Sequence, residues 1–114
     1  MKLMASLPAP RNPSVEEALG TSEVAHILGV HPRTIERRRT GGKAPRSLEA
    51  QREEKLRRIW QELTDLFTPE NAIQWLRHPV PALQDREPLA VMAEDGGLDR
   101  VLDIIGRMSW GIVS

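Results

Sequence analysis

Between Thr21 and Arg39 the chain sets Ala25, Gly29, Val30 and Ile35 at successive offsets of 4, 1 and 5. Two short helices crossing about a tight turn satisfy that spacing. A small residue at 25 lets the second helix approach, and Gly29 supplies the positive-φ position the turn needs. Val30 and Ile35 then sit as a hydrophobic staple around Pro32, which suits the first position of a helix. Val24, Ala25, Ile27 and Leu28 form the buried side of the first helix. The pattern is a helix-turn-helix. Its second helix exposes Arg33, Thr34, Arg37 and Arg38, and Arg39, Lys43 and Arg46 follow, with Glu36 the one acid among them. Such a helix can enter a major groove, where arginine reads guanine edges and flanking cations touch phosphates. Arg33, Thr34, Arg37, Arg38, Lys43 and Arg46 are therefore the candidate DNA contacts. A solvated basic face is the competing account of the same residues. Arg38 stands where motifs of this kind usually bury an aliphatic or a tryptophan, which predicts a weakly anchored second helix.

Helix punctuation continues along the chain. Ser14-Val15-Glu16-Glu17 fits a capping box, so a short helix should begin there and stop near Gly20. Thr21 or Ser22 offers the next N-cap, and His31 the one after. Ser47 can cap a long helix to about Phe67, with Leu56, Ile59, Trp60, Leu63, Leu66 and Phe67 at helical spacing. Thr68-Pro69-Glu70 restarts a helix through Leu76, and Pro79 and Pro81 break it. Leu83 to Ala93 reads as one or two short turns around Pro88, and Gly96-Gly97 as a turn. Leu98, Val101, Leu102, Ile105 and Met108 make the stripe of a last helix. Phe67 and Trp75 are assigned to the core. No alternating strand or repeat occurs. The expected fold is all-α: an N-terminal helix-turn-helix bundle joined by a long helix to a small C-terminal helical domain.

The formal net charge of zero conceals an uneven distribution. Residues 1–60 carry 12 Lys/Arg against 7 Asp/Glu, and residues 61–114 carry 4 against 9. That asymmetry invites a polyanion partner at one end and a protein partner at the other. A hydrophobic fraction of 39% with 8 glycines supports a packed core. With no cysteine there is no disulfide framework and no thiolate metal site, which suits a reducing cytosol. Apolar runs fall short of the roughly 20 residues a membrane span requires, and Met1 to Leu7 is too short and weakly charged for a signal peptide. A cytoplasmic location is expected. His26, His31 and His78 have no cysteine beside them and no i, i+4 pairing, so no metal site is expected. No nucleophile elbow, phosphate loop or dinucleotide fingerprint is present. Glu94, Asp95, Asp99 and Asp103 read as a solvated acidic face. The chain is expected to be no enzyme and to carry no cofactor.

Its end is apolar where termini are normally polar. Trp110, Ile112 and Val113 lie past the last helical stripe, and Gly111 can stop the helix and aim them outward. A greasy tail with a free carboxylate suits a preformed pocket on another molecule. For Trp110, folding back onto Trp60 or Trp75 is an equal alternative.

Leu66-Phe67-Thr68-Pro69-Glu70-Asn71-Ala72, Trp75-Leu76, Pro79, Leu83, Pro88-Leu89, Gly97, Val101, Leu102, Ile105 and Gly111-Ile112-Val113 form a series of landmarks. They resemble the toxin-binding domain of the MbcA/ParS/Xre antitoxin family, and the whole chain looks most like its MbcA-type members. Many relatives carry glycine three residues before the proline matching Pro88, where this chain has Asp85. The resemblance implies an antitoxin of a type II toxin–antitoxin system whose partner is a RES-domain toxin that consumes NAD+ or transfers its ADP-ribose. It implies an all-α homodimer whose C-terminal segment enters the toxin's NAD+ pocket, in a complex that often binds its own promoter DNA. Carried over, the toxin contacts would be Trp110, Gly111, Ile112, Val113 and Ser114, helped by Pro88 and Leu89. The expected organisation is a flexible arm at 1–13, a helix-turn-helix DNA-binding region at 14–46 and a toxin-binding domain at 47–114 with its tail at 110–114. A stand-alone helix-turn-helix transcriptional regulator, dimerising through its second half, is the competing reading.

Overall fold

A computed structural model describes residues 12–41 and 47–109 of the chain. Seven α-helices lie among the described residues, and the fold is all-α as expected. Helix α1, Val15–Leu19, begins with the reciprocal cap expected of Ser14 and Glu17. The Glu17 amide donates to Ser14 Oγ at 3.2 Å and the Ser14 amide to Glu17 Oε1 at 3.1 Å. Helix α2, Thr21–Leu28, follows after a single residue. Neither Thr21 nor Ser22 caps it; Gly20 does, at φ +92°, because Thr21 and Ser22 are already helical. Gly29 at φ +74° makes the turn. In α3, Pro32–Arg39, His31 is the N-cap, its Nδ1 accepting from the Arg33 amide at 3.1 Å.

The long helix α4, Ser47–Leu66, is the spine of the molecule. Its Leu56, Ile59, Trp60 and Leu63 are buried. Leu66, expected on the same stripe, is 41% exposed, since it falls at the helix end on the Arg58–Glu62 row rather than the buried one. Thr68 caps α5, Pro69–Leu76, and accepts from the Asn71 amide. A 3-10 turn at Pro81–Leu83 and one isolated bridge between Val80 and Arg86 precede the helical turn expected around Pro88. Gln84 and Asp85 both adopt φ +60° inside that bridge. Helix α6, Pro88–Met92, leads through Gly96 at φ +71° into α7, Gly97–Ser109. Gly97 is the first residue of α7 rather than part of the turn.

All seven helices feed one contiguous core. Val15 and Leu19 of α1 and Val24, Ala25, Ile27 and Leu28 of α2 cover one part of α4. Leu98, Val101 and Ile105 of α7 cover another, with Leu76, Leu83, Val91 and Met92 completing it. Trp75 and Phe67 are half-buried against this core. Fully burying a side chain such as Leu63 or Ile105 contributes roughly 1.5–3 kcal/mol each. Trp60 satisfies its indole by donating Nε1–H to the carbonyl of Pro13 at 2.8 Å, which ties the segment before α1 to α4. Helices α4 and α7 run parallel and in step, for Arg52 meets Asp95 at 3.4 Å and Lys55 meets Asp99 at 2.9 Å. No described helix is long and apolar enough to cross a membrane.

Candidate functional site

The basic face of α3 survives in part. Arg33 and Arg37 are exposed and Thr34 is half-exposed, with no ion pair to either arginine among the described residues. Arg38 does something else. Its guanidinium turns toward α4 and lies between Glu49 and Glu53, the latter at 3.4 Å, with only 17% of the side chain exposed. The arginine thus replaces the expected apolar anchor with an ionic one, and α3 is fastened rather than loose. This corrects the expectation that Arg38 belongs with the DNA contacts, because its donors are committed inward. Lys43 and Arg46 lie outside the described residues.

Much of the basic first half is likewise spent within the molecule. Arg57 pairs with Glu53 and Arg58 with Glu62 along α4. Arg52–Asp95, Lys55–Asp99 and Glu23–Arg77 (2.6 Å) cross from one half of the sequence to the other. Part of the charge asymmetry is therefore adhesive between halves, not a display toward partners. Among described side chains of the first half, Arg33 and Arg37 are the cations left without a carboxylate.

In the second half the expected tail, Trp110 to Ser114, lies outside the described residues. Pro88 and Leu89 are buried, since Pro at the first position of α6 packs its ring inward. Neither presents the open contact surface expected of it. Leu89 does reach the edge of a groove of about 320 Å³ that it lines with Ser22, Glu23, His26, Ile27 and the exposed Ala90. A wider groove of about 560 Å³ runs between α4 and α7, lined by Arg58, Glu62, Leu102, Asp103, Gly106 and Arg107. Sequence reasoning missed both, because each joins residues distant in the chain. The one hint was Gly106, a glycine inside a helical stripe.

The acidic residues of this half behave as a solvated face. Asp103 pairs with Arg107 at 2.9 Å. Glu94 and Arg86 form a surface pair, and the hydrogen bond from Arg86 holds the Glu94 carboxyl below the usual carboxylate range while raising the guanidinium. Among the described residues no group of three or more His, Asp or Glu could hold a metal. His26 and His78 are exposed and His31 is occupied as a cap.

Residues 62–111 match the family model for the antitoxin Xre/MbcA/ParS C-terminal toxin-binding domain. Over 98 residues the chain is 32% identical to the mycobacterial cidal antitoxin MbcA of Mycobacterium tuberculosis, covering 84% of this chain and 86% of that protein. It is 30% identical over 97 residues to the antitoxin Xre of Photorhabdus laumondii, covering 83% of this chain. The match spans just under two thirds of that relative's length, 66%. The M. tuberculosis MbcT–MbcA toxin–antitoxin complex contains a chain of similar structure, with TM-score 0.70 and 30% identity over 87% of this chain and 90% of that one.

Proposed function

Because the chain belongs to the Xre/MbcA/ParS antitoxin family, we propose that it neutralises a cognate RES-domain toxin of a type II toxin–antitoxin pair. The observation that carries this reading is similarity along nearly the whole length, in sequence and in structure, to an antitoxin solved with its toxin. In this reading Trp110, Gly111, Ile112, Val113 and Ser114 enter the toxin's NAD+ pocket, and the chain itself performs no chemistry. Supporting it, Ser109, the last described residue of α7, is exposed and lines the groove between α4 and α7. The antitoxin acts in the cytoplasm, as a homodimer within a larger complex.

A second activity, binding of its own promoter, is supported by Arg33 and Arg37, which stand exposed on α3 with no carboxylate paired to either among the described residues. With Arg38 withdrawn, base reading rests on Arg33, Thr34 and Arg37, with Lys43 and Arg46 as phosphate contacts. Co-expression with the toxin, scoring growth and cellular NAD+, tests the first activity. Growth arrest and falling NAD+ despite the intact antitoxin would overturn it. A stand-alone regulator, by contrast, would bind a palindromic operator and copurify with no second protein.

A further inference from the structure

Ile35 is the one apolar side chain that α3 buries among the described residues. Beside it lies a cavity of about 170 Å³, bordered by Val24, Leu28, Ile35, Arg38, Glu53 and Arg57. A single aliphatic anchor next to a void leaves a helix room to tilt, because packing fixes an angle only where side chains interlock. Arg38 supplies the missing constraint. Its two terminal nitrogens go to different carboxylates, Nη2 to Glu49 Oε2 and Nη1 to Glu53 Oε2 at 3.4 Å. Those acids stand four residues apart on α4, one turn along the same face. A contact with one carboxylate would be a pivot, whereas a fork across two fixes direction as well. Glu53 is held in turn by Arg57, so its place is set independently of α3. The Glu49 and Glu53 side chains are 27% and 19% exposed, so both acids are largely covered.

The outer face of α3 depends on that direction. Arg33 and Arg37 stand exposed four residues apart, so a tilt of the helix displaces both at once. A binding constellation tolerates only about 10–20° of misorientation before its side chains miss their partners.

We propose that Glu49 and Glu53 are positioning residues for DNA binding: through Arg38 they hold α3 at the angle that presents Arg33 and Arg37. They touch no DNA themselves. The proposal rests on the DNA-binding part of the preceding reading, and its consequence runs against simple electrostatics. Carboxylates near a DNA-binding face repel phosphates, so removing them ordinarily tightens binding. Their removal here also frees Arg38 and Arg57, two further cations. Binding should nevertheless weaken.

Fluorescence anisotropy of a labelled duplex, taken from upstream of the protein's own gene, tests it over a salt series. The full chain is compared with Glu49→Gln plus Glu53→Gln, and with that pair joined to Arg38→Met. Hydrogen exchange of the same proteins without DNA reports on α3 separately. The paired variant should bind about fivefold more weakly, as when α3 is correctly docked in about a fifth of the molecules. Its α3 amides should exchange faster while those of α7 keep the wild-type rate. Adding Arg38→Met, whose side chain can pack on Ile35 and Leu28, should recover part of the affinity although it removes a cation. A paired variant that binds as tightly as wild type, or more tightly with a steeper salt slope, would overturn the proposal and make Arg38 a phosphate contact. So would unchanged α3 exchange, or further weakening on Arg38→Met. A wild type that binds no duplex would overturn the DNA reading and this role with it, whereas faster α3 exchange would still leave the ionic anchor standing.

Discussion

A Cβ placed on Gly97 would lie 1.6 Å from the carbonyl oxygen of Val91 and 2.6 Å from its carbon. The end of α6 and the start of α7 touch backbone to backbone, and no side chain fits between them. Gly97→Ala should therefore force the corner open and expose Val91, Met92 and Leu98, all now buried. The expected loss is about 3 kcal/mol or more. Urea denaturation monitored by circular dichroism measures it, and a loss below that of an ordinary exposed helix substitution would contradict the contact.

The ionic anchor of α3 predicts a different signature. Arg38→Ala leaves Glu49 without its cation and Glu53 with Arg57 alone, with an expected cost of about 1–2 kcal/mol after allowance for partial exposure. Arg38→Met restores apolar packing against Ile35 and Leu28, which line the same groove, and should cost less than alanine. A double-mutant cycle between Arg38 and Glu49 should return a coupling that shrinks with added salt. Zero coupling at low salt would show that the pair does not hold the helix.

Asp85 adopts φ +60°, a conformation in which glycine has no steric cost. Asp85→Gly should stabilise the fold by about 0.5 kcal/mol, the relief of left-handed strain exceeding the added freedom of the unfolded chain. Thermal denaturation that shows a lower Tm for the variant would refute it.

Glu94 contributes to stability in one pH window. Its carboxyl is held below the ordinary range by the hydrogen bond from Arg86, so the folded state favours the ionised form. That contribution is fully present above the unfolded carboxylate range and disappears as pH falls through the lowered folded value. Glu94→Gln should flatten the acid limb of the stability–pH curve slightly and leave the neutral limb parallel to wild type. The pair is at the surface, so the effect should be small and salt-sensitive.

Truncation after Ser109 separates tail from fold. Among the described residues the contiguous core is complete before that point, so helix content and unfolding midpoint should stay close to wild type. Toxin neutralisation in the co-expression assay should be lost. A truncated chain that still protects cells would remove the tail from the mechanism.

What the sequence made legible was local. Ser14 with Glu17, Gly29, His31, Pro32 and Thr68 each act on neighbours within four residues, and the structure shows them as read. The misread positions depend on distant chain. Arg38 finds its partners 11 and 15 residues away, so composition alone left it looking like a free cation. Gly97 was taken for a turn because glycine pairs usually mark one, while its real constraint is the Val91 carbonyl. Pro88 and Leu89 were carried over from the family resemblance as helpers of the contact surface, and α6 packs them inward. Cap chemistry is short-ranged, whereas grooves and cross-helix pairs are made by the tertiary fold.

Helix α4 has 20 residues, about 30 Å from end to end. Its amino-terminal half receives Arg38 from α3, and its last turn lies beside the end of α7. The helix proposed to read DNA and the last described residue of α7 thus lie toward opposite ends of one strut. A ligand at either pole has no steric reason to evict one at the other, so simultaneous occupancy is the architectural default.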